Sequence, residues 1–148
     1  MTMKISDILK EKGNEVTTIS SSATMREAIR ILAAKRIGAL PVSNDGKSID
    51  GIVSERDVIT ALSTGDTDVR AMPVHDLMTT PVYTCSLDAT LQEVMALMIE
   101  RRIRHVPVLE DAVLVGILSI GDLVNARLRQ AEVEREQMAE YIASPAYN

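Results

Sequence analysis

Two Ser-x-x-Asp quartets, Ser54 to Asp57 and Ser119 to Asp122, and one dibasic pair, Arg104-His105, are the residues of this 148-residue chain best suited to recognising a ligand. Each quartet directly follows a short apolar run, Gly51-Ile-Val or Gly116-Ile-Leu, and so sits where a strand turns into a helix. Two roles coexist there. Ser is a favoured helix N-cap, and Asp at the third helical position suits the positive end of the helix dipole. A carboxylate fixed at a strand's carboxyl end can also accept both hydroxyl hydrogens of a ribose cis-diol. Arg104 offers a planar fork for phosphate, with His105 donating a second bond and titrating near neutrality, while a solvated pair of surface charges is the plainer alternative. Arg56, beside Asp57, is either a further phosphate contact or a surface side chain on the first helical turn.

Other chemistries find no support. Gly46-Lys47-Ser48 has the end of a phosphate-binding loop, but Pro41 stands where that pattern needs glycine, so it reads as turn chemistry. His75, His105 and Cys85 lack metal-ligand spacing, and neither histidine is placed to activate a nucleophile, so a non-catalytic protein is expected. A net charge of -5 and a densest basic cluster of only Arg101, Arg102 and Arg104 argue against nucleic acid. With no Phe, no Trp and only Tyr83, Tyr141 and Tyr147, the chain cannot build an aromatic platform for bases. The lone Cys85 excludes an intramolecular disulfide and reads as a buried, inert thiol. No signal core and no apolar run of ~20 residues is present, so a cytoplasmic protein without a membrane span is expected.

The elements that position these residues come as a duplication. From Val16 to Val42 against Val82 to Val108, a constant offset of 66 gives ten identities in 27 positions. The offset falls to 65 for Gly51-Ile52-Val53-Ser54 and Asp57 against Gly116-Ile117-Leu118-Ser119 and Asp122. Upstream it is 69, pairing Ser6-Asp7-Ile8-Leu9 weakly with His75-Asp76-Leu77-Met78. Met25, Ala28, Ile29 and Leu32, like Leu91, Val94, Met95 and Met98, follow helical spacing, with Thr24 and Thr90 as caps and Gly38 as a helix stop. Strands are expected at Ala39 to Val42 and Ile49 to Val53 around Asn44-Asp45-Gly46, and at Val106 to Leu109 and Val113 to Leu118 around Glu110-Asp111. Each unit reads as β-α-β-β-α, too small to bury its sheet alone, so the fold expected is α+β with the two units packed together. The boundaries expected are 1–62 and 74–128 for the repeats, 63–73 for a linker, and 129–148 for a helical extension and tail. In that last helix Val124, Leu128, Ala131, Met138 and Ile142 form a stripe interrupted at Arg135, suited to its own module or to a second copy, and residues 143–148 are expected to fray.

Gly38-Ala39-Leu40-Pro41-Val42, Gly51-Ile-Val-Ser-Glu-Arg-Asp57, Arg102-Ile-Arg-His-Val-Pro-Val108 and Gly116-Ile-Leu-Ser-Ile-Gly-Asp122 together resemble tandem CBS domains paired into a Bateman module. The resemblance spans about Ile5 to Leu128 and is similar to stand-alone bacterial CBS pairs and their plant organellar relatives. It implies two pseudo-symmetric repeats packed sheet to sheet, with an adenosyl ligand (AMP, ADP, ATP or NAD) as regulator in clefts between them and no obligatory cofactor. It implies one site from Ser54, Arg56 and Asp57 with Arg104, His105, Val82 and Tyr83, and another from Ser119 and Asp122 with Ile37, Gly38, Ala39, Val16 and Thr17. The second lacks cations at the phosphate position, so the sites are expected to differ. A homodimer is expected, and the competing implication is a ligand-independent module that regulates a thioredoxin-like or metabolic enzyme.

Overall fold

A computed structural model describes residues 2–65 and 68–143. The expected fraying beyond Ala143 lies outside those residues. The chain runs α1 (Ile5–Lys12), α2 (Met25–Lys35), β1 (Ala39–Val42), β2 (Gly51–Ser54), α3 (Glu55–Thr64), a 3₁₀ turn (Val69–Ala71), α4 (Val74–Leu77), β3 (Cys85–Ser86), α5 (Leu91–Arg101), β4 (His105–Glu110), β5 (Val113–Ser119) and α6 (Ile120–Ala143). The helices of the two repeats begin as their residues dictate. Thr24 Oγ1 accepts from the Glu27 amide at 3.3 Å, and Thr90 and Glu93 close a reciprocal capping box at 3.1 Å in each direction.

The expected α+β architecture of two similar repeats with a long final helix is present. β1 pairs antiparallel with β2, placing Leu40 opposite Val53. β4 pairs antiparallel with β5, placing Val106 opposite Leu118, and β3 lies parallel to β4. In the first repeat the counterpart of β3 is reduced to a single bridge from Ile19 to Val42. The loop between β1 and β2 reaches β5, where the Leu114 amide donates to the Lys47 carbonyl at 2.7 Å.

Several local expectations need correction. Gly38 does not stop α2; Arg36 does, in the left-handed conformation (φ 53°), and Arg102 repeats this after α5 (φ 54°). The second hairpin turns on Asp111 and Ala112, both at positive φ, rather than on Glu110-Asp111, because a two-residue loop with matching twist needs both central residues there. β2 begins at Gly51, leaving Ile49 and Asp50 outside the strand. The Asp50 amide nevertheless donates to the Val42 carbonyl at 2.8 Å.

The two cores exchange helices. Val74 of α4 and Val69 of the 3₁₀ turn pack with Met25, Ala28, Leu32, Leu40, Val42 and Val53 of the first repeat. Ile5, Ile8 and Leu9 of α1 pack with Leu91, Val94, Met98, Val106, Leu118 and Leu123 of the second. Two glycines record the crossing. A Cβ on Gly116 would come within 2.8 Å of Leu9 Cδ1, and one on Gly51 within 2.6 Å of Met78 Sδ. Leu9 and Met78 are the very pair that the weak upstream offset aligned, so the duplication extends to which residue lies on which glycine.

The exchange makes a remote test possible. Ile5→Ala removes a wholly buried side chain and is expected to cost about 2–5 kcal/mol. Hydrogen exchange should show the protection lost first in α5, β4 and β5 rather than in β1 and β2, to which Ile5 is nearer in sequence.

Candidate functional site

Both Ser-x-x-Asp quartets form the caps that their chemistry suggests. The Ser54 amide and hydroxyl donate to Asp57 Oδ2 at 2.8 and 3.2 Å. The Ser119 amide donates to Asp122 Oδ2 at 2.8 Å, and the Asp122 amide returns a bond to Ser119 Oγ at 3.2 Å. Each carboxylate is thereby locked at the N-terminus of its helix, α3 or α6, at the carboxyl end of a core strand.

The two aspartates differ in what else holds them. Thr79, just beyond α4, donates its hydroxyl to Asp57 Oδ1 at 3.0 Å. Lys12, the last residue of α1, places its ammonium 2.6 Å from Asp122 Oδ2 and donates to the Ile117 carbonyl at 2.5 Å. Burial would raise the Asp122 pKa, but the Lys12 ammonium and the Ser119 amide outweigh it and hold the carboxyl below its usual range. The sequence reading missed both residues. Its weak upstream alignment of α1 with α4 carried the signal, since an exchanged helix ends over the other repeat's aspartate.

His105 occupies the centre between the repeats. A Cβ on Gly38 would fall 2.8 Å from His105 Cε1 and 3.0 Å from Glu55 Oε1, so the glycine leaves room for the imidazole. Gly38 and His105, assigned from sequence to different clefts, are therefore neighbours. Burial lowers the His105 pKa below its ordinary value against the opposing pull of Glu55 and Asp122, with Lys12 and Arg104 reinforcing the decrease. Burial of the ring thus disfavours its cationic form. Backbone bonds repeat around it: the Glu55 amide donates to the Gly38 carbonyl at 3.0 Å, and the Ile120 amide to the Arg104 carbonyl at 2.9 Å.

The remaining expected residues vary in burial and in the elements that carry them. Arg104 and Arg56 are exposed, Ala39 is buried, and Ile37 is half-buried. Val16 and Thr17 are half-buried ahead of the Ile19 bridge beside β1, and Val82 and Tyr83 lead into β3 beside β4. The guanidinium of Arg101 lies 5.0 Å from the centroid of the Tyr83 ring, a cation–π contact. Among the described residues no hydrogen bond or ion pair joins Asp57 to Arg104 or His105. Asp57 instead borders a cleft of about 270 Å³ between α3 and α4, shared with Thr60, Thr64 and Asp76. Two carboxylates and two hydroxyls there suit a polyol and repel phosphate.

Cys85 is half-buried in the second repeat, and burial pushes its thiol up to about 11, leaving little thiolate for redox chemistry at neutral pH. Among the described residues no group of three or more His, Cys, Asp or Glu is arranged to hold a metal ion. No helix there is long and apolar enough to cross a membrane.

Comparison with known proteins places this geometry. The mitochondrial CBS domain-containing protein CBSX3 of Arabidopsis thaliana is 30% identical over 146 residues, covering 93% of this chain and 71% of that protein. The crystal structure of a CBS-domain containing protein from Agrobacterium tumefaciens is 37% identical, with a TM-score of 0.80, over 84% of this chain and 99% of that one. The CBS domain pair of protein MJ0100, solved in complex with 5-methylthioadenosine and S-adenosyl-L-methionine, is 26% identical, with a TM-score of 0.74, over 84% of this chain and 98% of that one. Residues 5–64 and 74–129 each match the CBS domain, and with two such repeats exchanging helices around a shared centre, the chain belongs to the CBS-domain family as a tandem pair.

Proposed function

We propose that this CBS pair is a non-catalytic regulatory module that binds an adenosyl ligand, AMP, ADP, ATP or NAD, between its repeats. The observation that carries the reading is Asp57, a carboxylate fixed by a helix cap whose second oxygen is engaged, among the described residues, only by a neutral hydroxyl. A ribose cis-diol can replace that hydroxyl without separating charges. The MJ0100 pair in complex with adenosyl compounds supports the ligand class.

The phosphate end depends on Arg104, whose exposed guanidinium stands beside the half-buried His105. A dianion arriving there favours the imidazolium and so raises the His105 pKa, which links binding to proton uptake. The adenine ring, in a chain without Phe or Trp, is gripped by aliphatic side chains and backbone amides, with Val82 and Tyr83 on one side. The protein is proposed to work as a homodimer whose contacts respond to the ligand, which requires that the ligand bind one state better than another.

A second reading, a ligand-independent interaction module, has its own observation. Ile29, Leu32, Ala33, Ile37, Val58 and Ile59 line a mainly apolar groove of about 460 Å³ between α2 and α3, rimmed by Arg36 and Glu55, and Ile59 is 67% exposed. Such a face suits a protein partner.

Thermal unfolding with AMP, ADP, ATP, NAD and adenosine separates the two readings. At a hundredfold excess over Kd the right ligand should add about 2.7 kcal/mol, a shift of ~5–10 °C for this size. Asp57→Ala should abolish that shift, whereas Arg104→Ala should weaken AMP more than adenosine. The absence of any shift at millimolar ligand would leave the interaction module as the surviving reading.

Lys12 sets the stoichiometry. With its ammonium on Asp122, the second site is internally neutralised, and titration calorimetry of the unmodified chain should give one ligand per chain. Lys12→Met should raise that to two. Two sites already filled in the unmodified chain would show that Lys12 does not close the second.

A further inference from the structure

Every residue of α6 from Ala131 to Ala143 is exposed, whereas the helix buries only Leu123 and Ala126, near its start. An isolated helical stretch of about this length is marginal in water without a partner for its apolar face. Val124, Leu128, Ala131, Arg135, Met138 and Ile142 are spaced alternately four and three residues apart, the a and d positions of successive heptads. This seam lies about a third of a turn around the helix from the face that Leu123 and Ala126 bury. Leu128, Met138 and Ile142 are 59%, 59% and 54% exposed. Val133, also exposed, lies on the opposite face and is no part of it.

The pattern reads differently in the two possible orientations. A parallel, in-register pair stacks Arg135 on Arg135 and Ala131 on Ala131, one layer with two like charges and one with a void; its single gain is Arg127 across from Glu132 at the rim. An antiparallel pair centred near residue 133 gives the layers Val124 with Ile142, Leu128 with Met138, and Arg135 with Ala131. The longest side chain of the seam then lies over the smallest. Each Arg135 also comes within one layer of Glu132 and Glu134 of the second copy, and with the two-fold axis near residue 133 it offsets the approach of each of these glutamates to its own counterpart. A two-fold interface requires this self-complementarity, residue i meeting j while j meets i.

We propose that the C-terminal half of α6 pairs with α6 of a second copy of this chain as an antiparallel two-helix seam, with Arg135 over Ala131 as its register. The proposal does not rest on nucleotide binding. It gives the extension beyond the repeats a function of its own: to fix how two CBS pairs are oriented.

Cross-linking reads the orientation directly. In a Cys85→Ala background, or Cys85→Val if the first loses cooperative unfolding, Leu128→Cys and Met138→Cys are made in separate full-length proteins. Both positions are exposed, so neither substitution disturbs the cores. With a short bis-maleimide, the mixture of the two should give a covalent dimer containing one chain of each, while either protein alone gives almost none. Adding Arg135→Glu to both should lower the mixed product at least tenfold. Efficient cross-linking of either protein alone would mean a parallel seam and overturn the proposal. No covalent dimer in any combination, or a mixed product insensitive to Arg135→Glu, would overturn it equally, the latter by removing the charge register.

Discussion

Each half of this duplicated chain buries its sheet only because a helix from the other half lies across it. A sheet of two or three strands with two helices leaves an apolar face uncovered at about 60 residues. Here Ile5, Ile8 and Leu9 cover the second sheet, and Val69 and Val74 cover the first. The exchange joins the two cores into one cooperative body, since neither half keeps its full core without the other's segment. It also brings the end of each exchanged segment, Lys12 or Thr79, over the other repeat's aspartate, so the packing that stabilises the fold sets the electrostatics of its clefts.

The centre between the repeats shows how divergence concentrates where duplication permits it. At the residues preceding β1 and β4, the carbonyls of Gly38 and Arg104 accept equivalent bonds from the first amide of the following helix, α3 or α6. The backbone is matched while the side chains are not. His105 fills the space that Gly38 leaves and approaches Glu55, so one repeat provides the group and the other the room for it. A bulky residue at both positions would force the repeats apart, and a small one at both would leave a void at the core of the module.

The fold was largely legible in the sequence because duplication supplies its own control. A pattern of apolar spacing and caps seen once is weak, whereas Thr24 with Glu27 and Thr90 with Glu93 at a fixed offset support each other. The aspartate caps were legible for the same reason. Helix ends were less so: Arg36 and Arg102 take the left-handed conformation that glycine usually supplies, a choice that tertiary packing makes and local propensity does not. Lys12 and Thr79 escaped because they reach the aspartates through space, more than a hundred residues apart in one case, and nothing in the spacing of Lys12 and Asp122 records that approach.

Retention of both aspartates therefore does not by itself argue for two equivalent ligand sites. Each is fixed first by capping a helix, a role worth about 1 kcal/mol wherever such a helix begins, so either would persist with no ligand at all. The difference lies in the further donor: Thr79 binds Asp57 on Oδ1, the oxygen that its cap leaves, whereas Lys12 binds Asp122 on Oδ2, the oxygen that also accepts from the Ser119 amide. A neutral hydroxyl bond of the Thr79 type has a net worth of about 1 kcal/mol and is matched by an incoming ribose hydroxyl. A charge-assisted bond of the Lys12 type is about twice as strong, and displacing it leaves a partly buried ammonium to be solvated elsewhere. The same aspartate in the same cap thus has a neutral partner in one repeat and a charged one in the other. The charged partner is the final residue of an exchanged helix, where three extra residues in the first repeat have altered which side chain reaches the aspartate.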